Sequence, residues 1–113
     1  MHELTIITNI FNIIEEIAEE NQLTKITRVT LKIGELRHVY PEMLQNAFEI
    51  VSKDTKAENA DLHIKPIRVK MRCKHCGHEF FVNNSYCCKK CGDYSLETIE
   101  GDEIIIETLE GDR

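Results

Sequence analysis

The sequence has no run of about 18 uninterrupted apolar residues, the length a helix needs to cross a bilayer. Its greasiest window, Leu4 to Ala18, is broken by Thr8, Asn9, Asn12 and two glutamates. A membrane partner is therefore not expected. The opening also lacks the positive stretch of a secretory signal and has Glu3 instead, so the chain is expected in the cytoplasm. Cysteines are kept reduced there, and for the five in this chain metal ligation is a better reading than disulfides. No H-E-x-x-H, no open three-ligand set and no nucleophile–base pair can be found, which leaves a zinc hydrolase without support. An excess of positive charge is missing too. The net charge is −6, which argues against a nucleic-acid partner. Residues 70–95 do carry +3, leaving −9 elsewhere, but four thiolates around one divalent cation would add −2 to that segment and remove the driving force for phosphate binding.

What is present fits one soluble domain with a small insert. The chain of 113 residues is 42% apolar and 30% charged, enough to fold but able to bury only a modest core. Apolar residues recur at Leu4, Ile7, Ile10, Phe11, Ile14, Ile17 and Ala18, the spacing of one helical face, and predict a helix to about Asn21. Ile6 and Ile13 fall off that stripe, so the helix is apolar on more than one side. The segment "ITRVTLKIGEL" alternates, with Val29, Leu31 and Ile33 on one side and Arg28, Thr30 and Lys32 on the other, as a half-buried strand does. Pro41 opens a second helix, where its missing N–H costs nothing, with Met43, Leu44, Ala47, Phe48 and Val51 as its buried face.

A further strand is expected in "DLHIKPIRVKM", with a change of phase at Pro66 that marks a bulge or an edge, and a last one in "GDEIIIETL". The whole predicts an α+β fold: two helices on a three-stranded, mainly antiparallel sheet, with an inserted zinc-ribbon module. The expected boundaries are 1–69 and 98–113 for the α+β domain and 70–97 for the insert.

The insert carries the one internal repeat, "CKHCG" at Cys73 to Gly77 and "CKKCG" at Cys88 to Gly92. Two C-x-x-C-G units with eleven residues between the cysteine pairs predict a four-thiolate zinc site on Cys73, Cys76, Cys88 and Cys91. In each unit a tight turn aims two sulfurs at one ion, and glycine accepts the positive φ that lets amides point back at sulfur. The repeat leaves Cys87 outside; a Cys87 to Cys91 pair is the alternative register. A closed four-sulfur site has no position for substrate, so its role is structural. His75 and His78 read as solvated turn residues able to influence its charge.

The first residues suggest a second metal site. The amine of Met1, the main-chain nitrogen of His2 and its imidazole can close a five- and a six-membered ring around one ion, and planar nitrogen ligation favours Ni(II) or Cu(II) over Zn(II). A fourth equatorial position falls to the Glu3 amide, the Glu3 carboxylate or a group from elsewhere. The opening "MHE", with "IGEL", "PEMLQNAFE" and the paired C-x-x-C-G units, resembles the HypA (HybF) nickel metallochaperones of [NiFe]-hydrogenase maturation across essentially the whole chain. That resemblance implies Ni(II) as cargo at His2 and Glu3, structural Zn(II) on the four cysteines, and a binding protein rather than an enzyme. It implies as partners the nickel-handling GTPase of the same pathway and the hydrogenase large subunit, and it leaves a swapped homodimer open. The competing reading is a zinc-ribbon protein–protein adaptor or transcription accessory with no nickel role.

Overall fold

The computed structural model describes residues 3–83 and 85–113. Helix α1 (Glu3–Glu20) leads into strand β1 (Lys25–Gly34), a single 3-10 turn (Glu35–Arg37) and helix α2 (Pro41–Ser52). The chain returns through β2 (Asp61–Ile67), makes the short strands β3 (Lys70–Cys73), β4 (Glu79–Phe81) and β5 (Leu96–Glu100), and ends in β6 (Ile104–Asp112). Two three-stranded sheets result, in the orders β2-β1-β6 and β4-β3-β5.

The first sheet has β1 at its centre. Its pairing with β6 is antiparallel, as expected, but its pairing with β2 is parallel, with Arg28 opposite Asp61 and Gly34 opposite Ile67. The direction follows from the connection, because a crossover that includes α2 brings the chain back to the end of the sheet where β1 began. Val29, Leu31 and Ile33 face the helices as the alternation predicts. Ile26 joins them despite its opposite parity, because a register irregularity between Ile26 and Arg28 shifts the phase.

α1 contributes Ile7, Ile10, Phe11, Ile14 and Ala18 to the same core, and Ile6 as well, whereas Leu4 and Ile13 stay largely exposed. From α2 come Leu44, Ala47 and Phe48, the last meeting Phe11 edge to face at 6.4 Å. Met43 was expected in that buried face and is 52% exposed. It precedes Leu44 by one residue, roughly 100° around the helix, and the packed stripe is too narrow to take both.

A second, smaller core forms around Val69, Met71, Cys73, Phe80 and Cys88. Two cores in one short chain explain the shape: the extents are 54 × 25 × 17 Å and the radius of gyration is 17.5 Å, against about 13 Å for a single compact domain of this length. The segment read as one strand across Pro66 is in fact two, β2 and β3, in different sheets. The change of apolar phase is the point where the chain exchanges one core for the other. The strands of the second sheet reach Glu100, three residues beyond the boundary read from the sequence.

The two units meet at a seam of close backbone. A Cβ on Gly34 would fall inside the carbonyl of Gly101, and one on Gly101 would lie 2.6 Å from the Cα of Val69. The amide of Gly34 donates to Glu103 O at 2.8 Å and that of Leu36 to Gly101 O at 2.9 Å. Leu36 then packs on the smaller core, and Arg37 Nε donates to Asp102 O at 2.6 Å.

Candidate metal centres

The second sheet exists to carry two turns. Each begins at a buried cysteine, Cys73 or Cys88, whose amide donates to a carbonyl five residues on: Cys73 to His78 O at 2.9 Å and Cys88 to Asp93 O at 2.8 Å. Inside each loop the glycine amide closes back on the first cysteine, Gly77 to Cys73 O and Gly92 to Cys88 O, both at 2.8 Å. Both glycines have φ +79°, the left-handed conformation that a side chain would strain. The sequence repeat is thus a structural repeat in these main-chain bonds.

These turns converge four sulfurs. Cys73, Cys76, Cys88 and Cys91 place their Sγ atoms within 4.8 Å of one another, with Cys73 to Cys91 at 3.6 Å and Cys76 to Cys88 at 3.5 Å. A tetrahedron with metal–sulfur bonds of about 2.3 Å has edges of about 3.8 Å, so the donor set fits a soft-ligand cation such as zinc. Cys87 lies outside the cluster, its sulfur 3.5 Å from Ser85 Oγ. The alternative pairing of Cys87 with Cys91 is therefore not the one adopted.

Main-chain amides aim at the sulfurs: Cys76 N to Cys73 Sγ at 3.5 Å, and Lys90 N and Cys91 N to Cys88 Sγ at 3.4 Å each. Desolvation opposes ionisation of Cys88, but the amides of Cys91 and Lys90 outweigh it and bring that thiol to about 6. Cys91 moves the other way, to about 12: the Asp93 backbone favours its thiolate, but desolvation and the neighbouring sulfurs of Cys73 and Cys88 prevail. Four thiolates cannot share this space without a cation; a divalent ion supplies the missing charge.

Sequence reasoning did not identify the clamp behind the cluster. Arg72, next to Cys73 on the outer face of β3, donates from Nη2 to Glu79 on β4 at 3.0 Å and from Nη1 to Glu97 on β5 at 3.1 Å. Alternation along "KMRC" would have placed Arg72 outward, but not named its two carboxylates. His78 is half-buried and stacks on Phe80 with centroids 5.8 Å apart, and His75 is exposed.

Of the predicted nickel site, Met1 and His2 lie outside the described residues. Glu3 is the first residue of α1 and half-buried. The first four N–H groups of a helix have no acceptor within it, and its positive end repels a cation unless the donors bring negative charge. A carboxylate in the first turn supplies some.

A family model described as "Hydrogenase/urease nickel incorporation, metallochaperone, hypA" matches residues 1–111. A hydrogenase maturation factor HypA of Dehalococcoides mccartyi is 39% identical over 113 residues, covering 99% of this chain and 95% of that protein. A HybF of Klebsiella pneumoniae is 34% identical, covering 99% of this chain and all of its own length. The solution structure of the nickel metallochaperone HypA from Helicobacter pylori superposes with a TM-score of 0.74 at 30% identity, over 99% of this chain and 98% of that one.

Proposed function

Because the chain belongs to the HypA family of hydrogenase and urease nickel-incorporation metallochaperones, we propose that it carries Ni(II) at its amino terminus and hands it on for [NiFe]-hydrogenase maturation. The amine of Met1, the main-chain nitrogen and imidazole of His2, and Glu3 are the donors in this reading. Cys73, Cys76, Cys88 and Cys91 hold structural zinc. The partners are the nickel-handling GTPase of the pathway and the hydrogenase large subunit, and the chain performs no reaction of its own.

The observation that carries the reading is that the family match begins at residue 1 and runs through both candidate metal centres. Two features support it. Helix α1 begins at Glu3, so the chelating residues adjoin a packed helix, which lowers the entropy lost on closing the chelate rings. A deprotonated amide and the Glu3 carboxylate also offset the positive helix end. A planar set with a replaceable fourth donor is suited to release, which a closed tetrahedron is not.

The test is nickel titration of protein that starts at Met1, beside a variant with one residue added ahead of it and the substitution His2→Ala. Both changes are expected to weaken nickel binding at least tenfold and to leave the zinc content and the far-UV spectrum unchanged. If the extended chain binds as tightly as the native one, the terminal amine is not a donor.

A further inference from the structure

The two edges of the larger sheet are guarded differently. β2 presents Pro66 and Lys65, devices that keep a stray strand from adding to an edge. β6 is nine residues long and contains neither proline nor lysine. Among the described residues it pairs with β1 only, so its outer row of N–H and C=O groups is open.

Beside that edge runs a groove of about 630 Å³ between β6 and the C-terminal end of α1. Its floor is apolar, with Ile17, Leu23, Ile106 and Leu109 each half-buried, and its rim carries the carboxylates of Glu107 and Glu110 and one cation, Arg113. The charge around it is one-sided. Residues 3–24 hold five carboxylates and no lysine or arginine, and residues 99–113 hold six carboxylates and only Arg113 as a cation. The segments that form the groove sum to −10, while residues 25–98 carry +4.

We propose that this groove is a docking site for an extended, basic segment of a partner protein, which adds to β6 as a fourth strand. The main-chain edge supplies the hydrogen bonds. Alternation of side chains then sends every second residue of the incoming strand down onto Ile17 and Leu23, where an apolar residue extends the existing core layer. The remaining residues face the carboxylate rim. Glu107 is already held by Lys65 at 2.7 Å and Lys32 at 3.0 Å, whereas Glu110 is only loosely matched by Arg28 at 3.9 Å and has charge to offer. A second copy of the chain is the wrong occupant, because pairing two β6 strands brings together two segments that each carry Glu107, Glu110 and Asp112 and neither lysine nor arginine. The edge is thus closed to acidic strands and to itself, and open to basic ones. This inference does not depend on which residues bind nickel.

The probe is a capped octapeptide of alternating lysine and valine, titrated into the isotope-labelled, zinc-loaded full chain at low salt and followed by amide chemical shifts and hydrogen exchange. Three comparisons accompany it: the glutamate–valine counterpart, the lysine–valine peptide N-methylated at alternate residues, and the double variant Glu20→Lys with Glu110→Lys. The expected result is shifts and slowed exchange confined to residues 106–111 and Leu23. The acidic and N-methylated peptides are expected not to produce it, and the double variant to weaken binding by about tenfold. Equal binding of the N-methylated peptide, or shifts spread over the acidic surface without exchange protection on β6, overturns strand addition. Protection of β6 in the chain alone, with a sedimenting dimer, overturns the assigned occupant in favour of a second copy. The peptide comparison stands even if the double variant fails to fold.

Discussion

Gly34→Ala isolates the seam between the two units. Gly34 has φ −63° and ψ 137°, a conformation that alanine adopts without strain, so any cost comes from the added methyl group. That methyl meets main chain at Gly101, which cannot swing aside as a flexible side chain can. The connection between β5 and β6 must move away, and the bonds from Gly34 N to Glu103 O and from Leu36 N to Gly101 O stretch with it. Two lost hydrogen bonds cost about 1 kcal/mol each and overpacking a further 1–3 or so, offset by about 0.5–1 kcal/mol from the stiffer unfolded chain. The expected destabilisation is about 2–4 kcal/mol, or roughly 8–17 °C in Tm for a chain of this size. Urea and thermal denaturation of the zinc-loaded protein measure it. Gly92→Ala is the matching control, since its Cβ meets nothing within 4 Å and only the positive φ is strained, for roughly 1–2 kcal/mol. A loss under about 1 kcal/mol for Gly34→Ala, or one no larger than that of Gly92→Ala, refutes the steric argument.

Cys73→Ser or Cys88→Ser is expected to lose most of the zinc and the order of the insert while the spectrum of the helices survives; Cys87→Ser is expected to keep the metal, and metal analysis separates the two registers. Phe48→Ala is expected to cost about 3–5 kcal/mol in chemical denaturation, and Met43→Ala, on the exposed side of the same helix, about 0.5 or less. Glu107 is held below the usual carboxylate range, first by its hydrogen bond from Lys65 and then by that from Lys32. A carboxylate whose folded pKa is depressed contributes stability above its unfolded pKa and loses it as pH falls through the folded one. Glu107→Gln is therefore expected to flatten the acid limb of the stability profile below about pH 4.3 and to leave stability unchanged where both forms are neutral.

Periodicity was enough to read the helices and β1, because a stripe that faces a core must repeat with the element that carries it. The extents of α1 and α2 and the inward set Val29, Leu31 and Ile33 follow from that. The four converging cysteines were legible for a different reason: the glycine of each unit fixes the turn, and the turn fixes which sulfur points inward. The parallel direction of β2 was not legible, since alternation looks the same for either direction and only the path of the connection decides. Nor was the split at Pro66, where one apolar phase gives way to another; a slip within one strand and an exit to a second core leave the same trace in sequence. The Gly34–Gly101 seam joins residues far apart along the chain, and neither glycine carries a local signal of the other.

The positions of β2 and β6 on either side of β1 have a consequence for the economy of the fold. Everything between Ile67 and Ile104, including both cysteine turns, is one excursion that leaves and re-enters at the same end of the sheet. For the larger core that excursion is a single closed loop, and doubling the length of a flexible loop costs roughly 0.6 kcal/mol. Melting the insert therefore asks little of the strands that anchor it beyond the bonds of the seam. In the proposed reading the smaller unit adds a bound ion to its own small apolar cluster while the larger rests on its apolar core, so the two can be tuned, or lost, almost independently.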